Sequence, residues 1–173
     1  INFKESFSEN ISSYLDKEVH MSADQENKKK HGKKELIALI ANHMLFVDEY
    51  EVPHIFLNQE GYGALRIESK AFKSWLRVRF YELYQESPSK DALDESVYQI
   101  ASLALVHGKT KKYKLKVRVA HIDNDSYLDL KNDACQVVKI TPHKAQIIQS
   151  EIPIFRQFRQ QKTLPILSCH DVS

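Results

Sequence analysis

A chain of 173 residues, 42% hydrophobic and 28% charged, has enough apolar material for one domain with a real core, which excludes a disordered or fibrous class. A net charge of +2 is too small for the whole chain to be a polycation, so any nucleic-acid contact must come from local clusters. Cys135 and Cys169 are too few and too far apart for a disulfide framework or a four-ligand zinc centre, and no apolar run reaches the roughly 20 residues of a membrane span.

No secretory signal opens the chain, which begins at Ile1, and it reads as a cytoplasmic fragment of something longer. Residues 1–34 form an N-terminal helix and a lysine-rich linker. Phe3, Phe7, Ile11, Tyr14 and Leu15 follow helical spacing over residues 3–18. Lys28, Lys29, Lys30, Lys33 and Lys34 make either a solvated linker or a phosphate-attracting arm. The main domain spans residues 35–167, with a short tail over 168–173. Its first helix is expected from Glu35 to Met44, with Leu36, Leu39 and Ile40 inward.

After Leu45-Phe-Val and an acidic turn at 48–51, two short apolar stretches, His54–Asn58 and Ala64–Ile67, flank a loop holding Gly61 and Gly63. This is a β-hairpin pattern. Ser69 then caps a central helix. Phe72, Trp75, Leu76, Phe80 and Leu83 share its core face, while Lys70, Lys73, Arg77, Tyr81 and Tyr84 share one flank. Arg79 projects into the apolar stripe and requires an acidic or carbonyl partner. Ser87-Pro88-Ser89 starts another helix with the stripe Leu93, Val97, Ile100, Ala101 and Ala104, which ends at Gly108.

From Lys111 the period changes. Tyr113, Leu115, Val117 and Val119 alternate with Lys114, Lys116 and Arg118, the pattern of one strand that is buried on one side and basic on the other. Strands at 127–130 and 136–141 and a further stretch at 145–149 follow across Asp/Asn turns. Ile154–Phe158 extends the series. The expected fold is α+β: helices and a β-hairpin, two central helices, then a C-terminal antiparallel meander packed on the central helix.

Three stretches carry a family resemblance: the hairpin with Ser69-Lys-Ala-Phe-Lys-Ser-Trp-Leu76 and Phe80-Tyr81; Tyr127-Leu-Asp-Leu130 with Val137-Val-Lys-Ile-Thr141; and Pro153-Ile-Phe-Arg156 ending near Leu164-Pro165. Over about Glu35 to Pro165 the chain resembles the accessory domain upstream of the helicase-like ATPase in primase–helicase replication proteins of phages, plasmids and integrative elements. The resemblance implies a non-catalytic segment of an ATP-dependent DNA-replication enzyme. It would engage single-stranded or forked DNA, or couple neighbouring domains, with the ATPase domain of the same longer chain as partner.

The residues permit few chemistries. Glycines at 32, 61, 63 and 108 supply no phosphate-binding loop, and no cofactor or metal set is called for. Asp123-Asn-Asp125 is what a tight turn selects. A metal-dependent nuclease would use Asp48 with Glu68-Ser69-Lys70. The eight histidines are dispersed, and Cys135 suits a buried small hydrophobe. For DNA, Lys70, Lys73, Arg77, Tyr81 and Tyr84 form one cluster; Lys112, Lys114, Lys116 and Arg118 form a second, joined by Arg156 and Arg159. The same residues also fit solvated lysines and tyrosines sealing core edges.

Overall fold

A computed structural model describes residues 32–57, 60–108, 112–158 and 161–164, apart from the side chains of His107 and Gly108. The N-terminal helix and its lysines before Gly32, Arg159, and the tail after Leu164 lie outside the described residues. The fold is α+β. The helices are α1 (Lys33–Ala38), α2 (Lys70–Tyr84) and α3 (Lys90–Gly108). One sheet has the order β3-β2-β1-β4, from β1 (Met44–Asp48), β2 (Pro53–Leu57), β3 (Gly63–Arg66) and β4 (Lys112–Tyr113). The other is the meander β5-β6-β7-β8, from β5 (Val119–Ile122), β6 (Asp125–Asp129), β7 (Gln136–Ile140) and β8 (Ala145–Gln149).

Strand alternation divides the first sheet into two faces. Leu45, Ile55, Leu57 and Leu65 meet the helices, where Leu36, Ile37, Ile40, Phe72, Leu76, Phe80, Leu93, Val97, Ile100 and Ala104 complete the main core. Phe46, Ala64 and Leu115 form a smaller cluster with Phe56 and Tyr113. The helical stripes were legible, but α1 is shorter than expected. It ends at Ala38, and Met44 already belongs to β1, a strand that residue spacing did not reveal.

In α2 the Ser69 hydroxyl accepts the Phe72 amide at 3.1 Å, as a cap should. Leu83, expected in the core, is 65% exposed. It lies in the last turn of α2, which stops at Tyr84 with Gln85 in the left-handed region. Arg79 is not buried either. Its side chain is 42% exposed at the edge of the stripe and bonds Glu60 through Nε at 2.9 Å and Nη2 at 2.8 Å, and Glu82 through Nη1 at 2.9 Å. Glu60 also accepts from Trp75 Nε1 at 2.5 Å and sits 3.5 Å from His43 Nε2. One carboxylate thereby ties the β2–β3 loop to α2.

The expected single strand over 113–119 does not exist. β4 pairs parallel with β1 and ends at Tyr113; the Leu115 amide turns to Glu49 Oε2 at 3.1 Å. Lys116 then exchanges backbone hydrogen bonds with Ile154 O (2.9 Å) and the Arg156 amide (2.7 Å). Val117 and Val119 are consequently exposed, and the chain crosses from one sheet to the other. The 154–158 stretch does not extend the meander. Its bridges join Phe155 to Lys116 and Arg156 to Ala64, one beyond each edge strand of the first sheet. Nor does the meander pack on α2: its inner residues Ala120, Val137 and Ile148 cluster with Ile154 and Phe155. A Cβ at Gly61 (φ +77°) would lie 2.3 Å from the Asp133 carbonyl oxygen, so this glycine lets the β6–β7 turn approach the β2–β3 loop.

Asp48, fully buried at the end of β1, holds these parts in register. Its Oδ1 accepts the Tyr50 and Val52 amides, both at 2.9 Å, and its Oδ2 accepts from Arg156 Nη2 at 3.1 Å. Removing it leaves two amides unanswered and the half-buried Arg156 guanidinium with only its longer contact to Glu49 at 3.5 Å. Asp48→Ala is expected to cost about 3 kcal/mol, read as a lower urea midpoint at unchanged m.

Two histidines, half-buried His43 and buried His54, add a pH dependence. Burial lowers the pKa of His43 and of His54, against the raising influence of Glu60 and of the Val52 carbonyl, respectively. A folded state that resists protonation binds fewer protons than the unfolded chain, so stability is lost as pH falls below the unfolded value of about 6.5. The urea midpoint should drop between about pH 7.5 and pH 5.5, and the drop should shrink in a His43→Gln/His54→Gln variant.

Candidate nucleic-acid interface

Helical spacing sets Lys70, Lys73, Arg77, Tyr81 and Tyr84 along one flank of α2, because residues three and four apart are surface neighbours. The capped start and the apolar face packed against α1, α3 and β3 fix how that flank is presented. Lys73 reaches Asp94 of α3 at 2.7 Å. That hydrogen bond holds the Asp94 carboxyl below its usual range, with smaller electrostatic help from Lys73, Lys90 and Arg77. One acid therefore faces three cations. Lys70 and Arg77 are exposed and form no ion pair among the described residues, and Tyr81 is 51% exposed beside them. Tyr84 differs: its ring packs on Phe80 at 4.7 Å, at the edge of the main core.

Lys90 belongs to this group although spacing along α2 could not reveal it. It lies in the first turn of α3, and only the fold of α3 beside α2 brings the cluster together around Asp94.

The second basic cluster is dispersed by the break after β4. Lys112 is paired with Glu51 at 2.7 Å. Arg118 Nη1 donates to Asp129 O at 3.3 Å and Nη2 to Lys162 O at 2.9 Å, which fastens the segment before β5 to residues 161–164. Arg156 is committed to Asp48 and Glu49, with its guanidinium 5.6 Å from the Tyr50 ring centre. Lys114 is exposed and Lys116 is half-buried. The shared strand face expected for Lys114, Lys116 and Arg118 is absent, since residues 114–118 form no strand.

The carboxylates of the nuclease reading are also occupied. Asp48 has both oxygens bonded inside the protein, and Glu68 pairs with Arg66 at 2.9 Å. Among the described residues no three His, Cys, Asp or Glu side chains gather at metal-binding distance, and no helix is long and apolar enough to cross a membrane. Cys135 lies in the turn before β7 and is half-buried, not fully buried as expected. Burial raises the pKa of its thiol, the opposite of what a nucleophile needs. Burial likewise raises the carboxyl of Asp129, whose Oδ1 accepts the Lys131 amide at 2.9 Å.

Comparison of the chain with protein-family models, with curated proteins and with solved structures gives no match.

Proposed function

We propose that this chain is a non-catalytic accessory domain that engages single-stranded or forked DNA through the basic flank of α2. On this reading it is a cytoplasmic segment of a mobile-element replication protein of the primase–helicase kind, adjoining an ATP-dependent domain of the same longer chain. The observation that carries the DNA-binding part is the flank itself. Lys70 and Arg77 have no ion pair among the described residues, Lys73 and Lys90 share a single acid, and Tyr81 stands exposed beside them. The replication context rests on the sequence resemblance alone.

The chemistry follows from that arrangement. Lysine and arginine neutralise backbone phosphates and release condensed counterions, which yields affinity without sequence preference. An exposed tyrosine offers a ring to an unstacked base, which favours single strands and fork junctions over a closed duplex. Arg118 and Arg156 have no part in this reading, because their guanidinium groups hold the fold together.

Fluorescence anisotropy with a labelled single-stranded oligonucleotide and a forked one tests the reading. A Lys70→Glu/Arg77→Glu variant should bind at least about tenfold more weakly, and the slope of log K against log salt should flatten by about 0.7 for each phosphate no longer neutralised. Tyr81→Ala should weaken binding to single strands by about 1–3 kcal/mol, whereas Asp94→Asn, which removes the acid shared by the cluster, should strengthen it. Absence of binding at low salt, or equal binding by the charge-reversed variant, refutes the assignment.

A further inference from the structure

The basic flank of α2 has α3 beside it, and α3 carries an aromatic ring on its outer surface. Lys90, Asp94 and Tyr98 follow one another at four-residue spacing, so they form one ridge of that helix. Asp94 shows where the ridge lies. Lys73 of α2 reaches it at 2.7 Å, and Arg77 and Lys90 are near enough to act on the same carboxylate. Tyr98 therefore stands one helical turn from the point where the two helices meet.

The ring contributes nothing to the core. Leu93, Val97, Ile100, Ala101 and Ala104 are the residues that α3 buries, whereas Tyr98 is 76% exposed. A tyrosine that seals a core edge gives one face of its ring to a neighbour, as Tyr84 does against Phe80. Tyr98 has no ring contact among the described residues, and neither has Tyr81, which is 51% exposed. Tyr50 differs, since the Arg156 guanidinium lies 5.6 Å from its ring centre. Two open rings thus lie on adjacent helices whose cations share one acid. The remaining acids of α3 give the surface a direction. Asp91 and Glu95 are exposed on the side of Tyr98 away from Asp94, because helical rotation places them there. They repel phosphate, so the backbone of a bound strand keeps to the α2 side and only its bases reach Tyr98.

We infer that Tyr98 is a second base-stacking platform of the α2 site, so that a single strand crossing from α2 to α3 stacks one base on Tyr81 and another on Tyr98. This rests on the DNA-binding reading and narrows its ligand to a strand whose bases are unpaired at both rings. A closed duplex keeps its bases stacked on one another and gains from neither ring. Every base has a π face, so the second platform adds affinity and selectivity for single strands without sequence preference.

Fluorescence anisotropy with an oligothymidylate of about twelve nucleotides, and with a duplex of the same length, tests the assignment. Tyr98→Ala should weaken binding of the single strand at least about fivefold and leave duplex binding unchanged. The salt slope should also stay the same, since a tyrosine neutralises no phosphate. Tyr98→Phe should bind as the unmodified protein does, because the ring and not the hydroxyl is the platform. Tyr98→Trp should lose fluorescence as the strand binds, against the constant emission of the buried Trp75. The position is exposed, so these variants keep the core face of α3 intact. No strand binding by the unmodified protein refutes the DNA-binding reading and the second platform with it. Strand binding that Lys70→Glu/Arg77→Glu weakens but Tyr98→Ala does not, or that leaves Tyr98→Trp unquenched, overturns the second platform alone. A Tyr98→Ala loss shared equally by the duplex overturns it too, because that pattern marks an altered helix and not a lost stack.

Discussion

Asp48 imposes the constraint on which the rest of the structure depends. A carboxylate with no exposure to water must have its lone pairs answered, and here the answers come from two directions. The Tyr50 and Val52 amides are local and fix the β1–β2 turn, where Glu51 takes φ +63°. The Arg156 guanidinium is remote and fixes where the end of the domain must lie. Because β1 is central in its sheet, the same side chain sets both hairpin register and closure of the chain. A hydrophobic residue of similar size could fill the space but could not select one partner over another.

The fate of the basic residues follows from the difference between arginine and lysine. A guanidinium is a planar fork that satisfies several acceptors at once, and Arg79, Arg118 and Arg156 all use it to join segments distant in sequence. Lysines are left mainly on the outside, in single pairs or with none. Among the described arginines considered as DNA ligands, Arg77 is the exception, exposed on the α2 flank with no ion pair among the described residues. Its position beside Tyr81 gives that flank a character the scattered Lys112, Lys114 and Lys116 do not have.

Much of this architecture was legible from residue spacing. The Ser69 cap, the α3 stripe and the β2–β3 hairpin depend on local signals, and each formed where those signals lie. β1 was obscured because four successive buried residues, Leu45 to Asp48, show no alternation when both faces of a sheet are covered. The 113–119 stretch failed for the opposite reason. It alternates perfectly, yet Glu49 and the 154–156 backbone offer its amides partners outside any single ladder. At the candidate site, the α2 flank could be read from helical geometry, whereas Lys90 and the diversion of Arg118 and Arg156 depend on tertiary contacts. The partner of Arg79 was hidden similarly, since Glu60 is contributed by a loop 19 residues earlier in the chain.

The two bridges made by Phe155 and Arg156 also govern the order in which the protein can assemble. The helices and β1 to β3 are contiguous in sequence and can gather from nearby contacts. Arg156, in contrast, meets Asp48 across 108 residues and Ala64 across the whole meander. Closing a loop of such length costs conformational entropy, and contacts of this range slow folding. During synthesis, the carboxylate of Asp48 remains without its cation until Arg156 emerges. The Arg156–Asp48 contact therefore cannot form until the whole meander between them has been synthesised.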